Sequence, residues 1–393
     1  MKTGKGVLLK ELLPEARWLA IAPGRVNLLG EHLDYNDGVV MPAAINRTVK
    51  LAAVPLDGSK VSLMAIDLNE SVSFDFDMLD RRQDINGNPL PGWALYPAGV
   101  AWALRQRGLE LPAFRGVYTA DIPMGAGLSS SAAVEVAFGA LWQQLGGWEM
   151  SRLDLARCCL EAETRYVGLN CGLMDQFASA CGVAGHVLAF DTRSLDWQAL
   201  PLPPGIAIVI ADSQVPRTLT SSGYNDRHAA CMEAVRLLSM HLPGISALRD
   251  VTRLDFERWQ HVLPAVVARH ARHVVEENER VVQALDCLRS GDAAAFGQLM
   301  YATQISLRDL YEVSVPELDM LVEIAAELPG CLGARLTGAG FGGCTVNLVE
   351  EQAAAGFIAD LSARYFERSG RLAEVYLCRA GNGVQVKRWD QDD

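Results

Sequence analysis

Gly24-Arg25-Val26-Asn27-Leu28-Leu29-Gly30-Glu31-His32-Leu33-Asp34-Tyr35-Asn36-Asp37-Gly38 is the stretch on which the reading of this chain turns. It follows a short apolar run and crowds Arg25, Asn27, Glu31, His32, Asp34, Tyr35, Asn36 and Asp37 between glycines. A solvated turn accounts for Asn36, Asp37 and Gly38. It does not call for an Arg, two kinds of carboxylate, a His and a Tyr in one segment. That density of donors and acceptors is what a polar small molecule such as a sugar requires of its site.

Outside this segment the chain is 393 residues long, which is long for one core, and two domains are expected. A net charge of −12 argues against nucleic acid or an anionic membrane as a partner, because both need basic surface. An anionic substrate held by dipoles, a metal and one or two arginines stays compatible with it. The nine cysteines are scattered without a Cys-x-x-Cys, which fits buried free thiols in a reduced, cytoplasmic protein. Lys10, Glu11 and Glu15 interrupt any apolar signal core near the N-terminus, and no apolar run approaches a membrane span. His270 and His273 have a metal-like spacing but no acidic or Cys partner at ligand spacing, so a solvated helix face is expected there.

Strand and helix patterns intermix, which predicts a mixed α+β protein of two layers. Ala113 to Ala120, His186 to Phe190, Ile206 to Ala211, Ala334 to Thr337 and Cys344 to Leu348 read as strands. Ser131 to Leu145, Leu153 to Val167, Tyr224 to His241, Val266 to Ser290 and Leu318 to Leu328 read as helices. Pro201, Pro203, Pro204 and Gly205 punctuate the middle, and the domains are expected to be 1–204 and 205–393.

Two glycine-rich loops stand out. Pro123-Met124-Gly125-Ala126-Gly127-Leu128-Ser129-Ser130-Ser131-Ala132 lies between a strand and a helix. Its glycines let backbone curl around an anion, the helix start offers unpaired N–H groups, and the serines can reach phosphate or ligate Mg²⁺. A plain helix start would need one capping serine, not three. Gly338-Ala339-Gly340-Phe341-Gly342-Gly343 has the Gly-x-Gly-x-x-Gly spacing, but a strand follows it, so a dinucleotide fold is rejected. A tight hairpin and a loop that brings backbone to a reacting centre both fit that second stretch.

Gly172-Leu173-Met174-Asp175-Gln176-Phe177 supplies the candidate acid–base group. Asp175 has apolar neighbours, and a buried carboxylate needs a partner, for which Arg25 is the obvious choice. Glu163, on the preceding helix, is a second acid suited to Mg²⁺.

Together, Gly24 to Gly38, Pro123 to Ala133, Gly172 to Phe177 and Leu336 to Cys344 resemble the motifs of the GHMP small-molecule kinases. Within that superfamily the chain is similar to the galactokinase family, with Ser222 to Arg227 and Arg272 to Asn278 as further matching segments. The resemblance implies a ribosomal-protein-S5-like N-terminal domain and a ferredoxin-like C-terminal domain, with ATP and sugar in the cleft between them. It implies ATP-dependent phosphorylation of α-D-galactose at its anomeric hydroxyl, with Mg²⁺ as cofactor. By motif position, Asp175 would receive the hydroxyl proton and Arg25 would stabilise the carboxylate and the moving phosphoryl group. Glu31, His32, Asp34, Gly172, Asp175 and Tyr224 would contact the sugar. Gly125, Ala126, Gly127, Leu128, Ser129, Ser130 and Ser131 would wrap the phosphates, with Ser131, Ser130 and Glu163 at the metal. Trp93 and Tyr96 would edge the adenine pocket. Leu33 stands where many members have Thr, Leu95 and Ala98 where Asn and Lys are frequent, and His228 where a second Arg is common. Two rival readings remain: another sugar-1-kinase acting on N-acetylgalactosamine, L-arabinose or galacturonate, and a non-catalytic galactose and ATP sensor. The sensor is disfavoured because Arg25, Asp175 and the serine loop are intact. A monomer is expected from the acidic charge and the lack of a heptad seam.

Overall fold

The structure, a computed structural model, describes residues 4–123, 125–216 and 220–389. The first half runs α1 (Gly4–Leu12), β1 (Trp18–Asn27), β2 (Val39–Val40), β3 (Pro42–Leu56), β4 (Lys60–Ala65), β5 (Glu70–Asp75), α2 (Leu95–Gln106), β6 (Ala113–Ala120), α3 (Ser130–Gly146), α4 (Arg152–Glu161), α5 (Met174–Cys181), β7 (His186–Asp191) and β8 (Trp197–Pro201). The second half runs β9 (Ile206–Asp212), α6 (Thr220–Leu238), α7 (Arg253–Trp259), α8 (Ala265–Ser290), α9 (Ala293–Asp309), α10 (Pro316–Glu327), β10 (Cys331–Thr337), β11 (Cys344–Glu350), α11 (Ala354–Ser369), β12 (Glu374–Cys378) and β13 (Gln385–Arg388).

The larger sheet has the order β13-β1-β3-β6-β4-β5. Only the β4–β6 pair in it is parallel. Helices α3 and α5 cover one face of β1 and β3, while Leu9 of α1 packs with Leu19, Ala52 and Val117 on the other, so β1 is buried on both faces and almost continuously apolar. The second sheet, β10-β11-β9-β12, is antiparallel throughout, with α9 and α10 against β10. Strand β13 returns to pair with β1, so the last described strand belongs to the first sheet. The short β2-β7-β8 sheet anchors the chain just after Gly38, through Val39 and Val40 on Asp191 and Phe190.

Two local departures from regular geometry shape the site. Between Pro23 and Arg25 the β1–β3 register shifts. Proline donates nothing to a ladder, and a bulge there re-aims the following side chain. The segment from Leu153 to Val167, which periodicity reads as one helix, is α-helical only to Glu161. Ala162 to Val167 form a wider π-helical turn, in which the Glu163 carbonyl accepts from the N–H groups of Gly168 and Leu169.

Candidate active site

A cleft of about 490 Å³ opens where the 24–38 loop, the serine-rich loop, the π-helical turn, the start of α5 and the start of α6 converge. Strand β1 delivers Arg25 to its floor. The guanidinium donates to Asp175 through Nε at 2.8 Å, and its NH2 lies 2.7 Å from the same oxygen. Its NH1 donates to the Gly127 carbonyl at 2.6 Å. Asp175 sits in the first turn of α5, where a carboxylate is favoured by the helix dipole. Its second oxygen accepts from Ser129 Oγ at 2.5 Å. Ser129 occupies the N-cap position of α3 but makes no capping bond, and holds a left-handed φ of 58°. Its hydroxyl serves Asp175 instead of the helix. The pairing expected between Arg25 and Asp175 is therefore present, and it draws the serine-rich loop into the same constellation.

The loop docks through backbone. Arg25 N–H donates to the Leu128 carbonyl at 3.1 Å, and a Cβ on Gly24 would come within 2.5 Å of that oxygen. With the Gly127 and Leu128 carbonyls turned toward Arg25, the first-turn N–H groups of α3 are the ones a helix leaves unpaired. Gly125, Gly127, Ser129, Ser130 and Ser131 line the cleft.

Glu163 also lines it, although the residue is 6% exposed. Its carboxylate accepts from Gln176 Nε2 at 2.5 Å and Cys171 Sγ at 3.3 Å. The Ser131 hydroxyl interacts with it as well. Burial, and then the negative charge of Asp175, push the Glu163 carboxyl up from its ordinary range. Gln176 reaches on to the fully buried Glu135 at 3.1 Å. An oxygen-only set of one carboxylate and hydroxyls beside the serine-rich loop fits Mg²⁺, which takes few protein ligands and completes its shell with substrate oxygens and water. Trp93 and Tyr96 do not line the cleft. Trp93 donates to Glu70 at 2.6 Å and contacts the Tyr118 ring, while burial, and then the charge of Glu163, push the Tyr96 hydroxyl up to about 12.

Glu31, His32, Asp34, Gly172 and Tyr224 line the cleft as well. A Cβ on Gly172 would stand 2.0 Å from Asp34 Oδ2, so glycine there is what lets the carboxylate into the cleft. Burial, reinforced by Asp175 and Glu31, pushes Asp34 up to about 7. His32 Nδ1 is 2.9 Å from Tyr35 Oη, which is 2.7 Å from Tyr311 Oη. The rings of Tyr224 and Tyr311 also pack on His32. Burial holds His32 well below its ordinary pKa, and its Nε2 is buried with no partner among the described residues.

His270 and His273 correct the expectation of a solvated helix face. Both are buried on α8, packed on the Tyr311 ring, and His273 Nδ1 lies 2.8 Å from Ser306 Oγ. Burial pushes them down to about 4 and about 3, so both are neutral imidazoles at neutral pH. Among the described residues no group of three His, Cys, Asp or Glu could hold a metal. The histidines share a helical face with Val274, Glu277 and Val281, all buried, and that spacing was the available signal. Sequence reasoning also passed over Glu277 and Arg335. Glu277 accepts from Gly30 N–H at 2.8 Å, from Thr303 Oγ1 at 2.8 Å and from Arg280 Nε at 2.6 Å. Arg335 is fully buried on β10 and pairs with Glu31. A lone Arg in an apolar strand was the signal for it.

Comparison with known proteins adds an independent line. A model of the galactokinase galactose-binding signature matches residues 10–55, the GHMP kinases N terminal domain matches 96–183, and the GHMP kinases C terminal domain matches 284–367. The galactokinase of Roseiflexus sp. (strain RS-1) is 46% identical over 363 residues, covering 92% of this chain and 91% of its own. The chain belongs to the galactokinase family. The galactokinase of Chloroflexus aggregans is 44% identical over 93% of the chain and 92% of its own length. The structure of Lactococcus lactis galactokinase complexed with galactose superposes with a TM-score of 0.90 at 32% identity, covering 97% of this chain and 99% of that one. A mevalonate kinase superposes at 0.67 with 18% identity, which shows the shared two-domain GHMP kinase fold alone. Within this galactokinase-family chain, the galactose-binding signature contains Arg25 and the 24–38 loop, and the N-terminal domain match contains the serine loop, Glu163 and Asp175.

Proposed function

We propose that this chain transfers the γ-phosphoryl group of ATP to the anomeric hydroxyl of α-D-galactose, giving galactose 1-phosphate and ADP. The observation that carries the reading is Asp175, held by Arg25 on one oxygen and by Ser129 on the other, where the phosphate loop meets the sugar side of the cleft. Phosphoryl transfer depends mostly on positioning and charge stabilisation. Asp175 accepts the hydroxyl proton, and Arg25 fixes the carboxylate while offsetting charge on the phosphoryl group. Residues 125–131 wrap the phosphates, and Glu163 with Ser131 or Ser130 holds Mg²⁺. When bound, Mg²⁺ neutralises phosphate charge. Glu31, His32, Asp34, Gly172 and Tyr224 hold the sugar. Fixed acceptors discriminate between sugars because a missing or inverted hydroxyl leaves a buried group unpaired.

In this reading residues 1–204 and 205–393 form the two domains, with β13 as a returning strand, and the protein acts as a cytoplasmic monomer. No described helix is long and apolar enough to cross a membrane. The test is ADP release with Mg-ATP against galactose, N-acetylgalactosamine, glucose, L-arabinose and galacturonate, with the phosphorylated position read by phosphorus NMR. Turnover of galactose to the 1-phosphate is expected. Turnover of another sugar alone would move the substrate, and binding without ADP release would end the kinase reading.

A further inference from the structure

We propose that Arg335 is a positioning residue for the sugar-reading carboxylate of Glu31, and that a buried frame from the second half of the chain sets the register of the sugar loop. Three bonds reach across from that half to three neighbouring points of the loop. The Asn27 N–H donates to Thr337 Oγ1 at 3.0 Å, the Gly30 N–H donates to Glu277 Oε1 at 2.8 Å, and Arg335 NH2 pairs with the Glu31 carboxylate. Arg335 is itself fixed to its own strand, because its Nε donates to the Leu336 carbonyl at 2.6 Å. Glu31 is thereby referenced to β10. Asp175 and Arg25 come from the first half, so the frame sets the sugar-reading group relative to the reacting groups of the same cleft.

The chemistry argues for orientation over stability. A buried ion pair pays a desolvation penalty, and an apolar pair of the same volume commonly serves stability equally well. Arg335 and Glu31 have side-chain exposures of 0% and 3%, yet the pair stands at the edge of the cleft, with Glu31 lining it. A guanidinium can hold the strand carbonyl and the carboxylate at once through its planar fork, which the single ammonium of lysine cannot reproduce. Glu277 supports the same arrangement one residue earlier. It is fully buried, and its second oxygen is tied by Thr303 and Arg280, leaving the first for Gly30.

The inference rests on Glu31 being a sugar contact, and its test is a double-mutant cycle on galactose affinity by calorimetry, with KM for galactose and for ATP alongside. If Arg335 acts through Glu31, Glu31→Gln and Arg335→Lys each weaken galactose binding about ten-fold or more and leave KM for ATP within about two-fold. The double variant is then no weaker than the worse single. Multiplying effects, or a shift in ATP affinity and melting temperature with galactose affinity intact, would overturn it. Where Arg335→Lys yields no folded protein, the neutral pair Glu31→Gln with Arg335→Gln replaces it. That pair is expected to fold and to bind galactose at least about ten-fold more weakly, and wild-type affinity in it would overturn the proposal. Wild-type protein that binds galactose without releasing ADP would end the kinase reading while leaving this cycle interpretable.

Discussion

The two glycine-rich loops have similar composition and different surroundings, although Ala339 of the second also lines the cleft. At 125–131 a Cβ on Gly125 would meet nothing within 4 Å, and the loop faces the cleft. At 338–343 a Cβ on Gly340 would stand 2.3 Å from the Val313 carbonyl, and one on Gly342 would stand 2.6 Å from the Val215 carbonyl. Two N–H groups of the second loop are engaged by protein backbone: Phe341 donates to the Val313 carbonyl at 2.7 Å and Gly343 to the Val215 carbonyl at 3.2 Å. Glycine in the first loop leaves room beside backbone for a ligand. In the second it lets protein backbone approach protein backbone, joining β10 and β11 where Arg335 and Thr337 need to be placed. The comparison separates glycines that leave room for a ligand, at 125, from glycines that let backbone meet backbone, at 340 and 342, and each glycine substitution below should fall on one side of that line.

The largest effect belongs to the group that the first loop holds. Asp175→Ala should lower kcat by about a thousand-fold or more while calorimetry still detects galactose binding, since it removes the proton acceptor and the anchor of Arg25 and Ser129. Substantial turnover would remove Asp175 from its proposed role. Next is Gly340→Ala, which forces a clash with backbone at a φ of +78° and should cost about 2–4 kcal/mol in denaturant unfolding. Unchanged stability would break the architectural reading of the second loop.

The pH dependence of galactose affinity comes third. The Asp34 carboxyl is raised from 3.8 to about 7, so its ionised, accepting form grows as pH rises through 7. KM for galactose should therefore fall between pH 6 and pH 8, by up to about ten-fold per unit below the pKa, and Asp34→Asn should flatten that slope. The sign for stability is opposite. The folded form keeps a proton that the unfolded chain loses near 3.8, so Asp34 favours folding at low pH and this contribution fades as pH rises toward 7. The smallest effect is Gly125→Ala, where only a left-handed φ of +72° is at stake. It should cost about 1 kcal/mol of stability and raise KM for ATP a few-fold, with KM for galactose unchanged.

The sequence was most legible where one residue type had one physical use. Alternation and apolar runs placed β6 at Ala113–Ala120 and the core of α3, because local pattern decides those elements. Arg25 with Asp175 was readable because a carboxylate among apolar neighbours needs a cation. The hidden part depended on contacts far apart in the chain. Nothing local says that Ser129 spends its hydroxyl on Asp175, that Gly172 is shaped by Asp34, or that Glu277 holds Gly30. His270 and His273 were misread because their spacing was weighed for metal ligation and not as part of the buried stripe with Val274 and Val281. Likewise, two glycine loops of like composition cannot be told apart until Val313 and Val215 are seen pressed against one of them.

Backbone amide hydrogen exchange of both loops, with and without Mg²⁺ and a non-hydrolysable ATP analogue, tests the distinction most directly. The account predicts that amides in 125–131 gain strong protection on nucleotide binding, while Phe341 and Gly343 are protected before it and change little. Protection gained at 338–343 with none at 125–131 would contradict it.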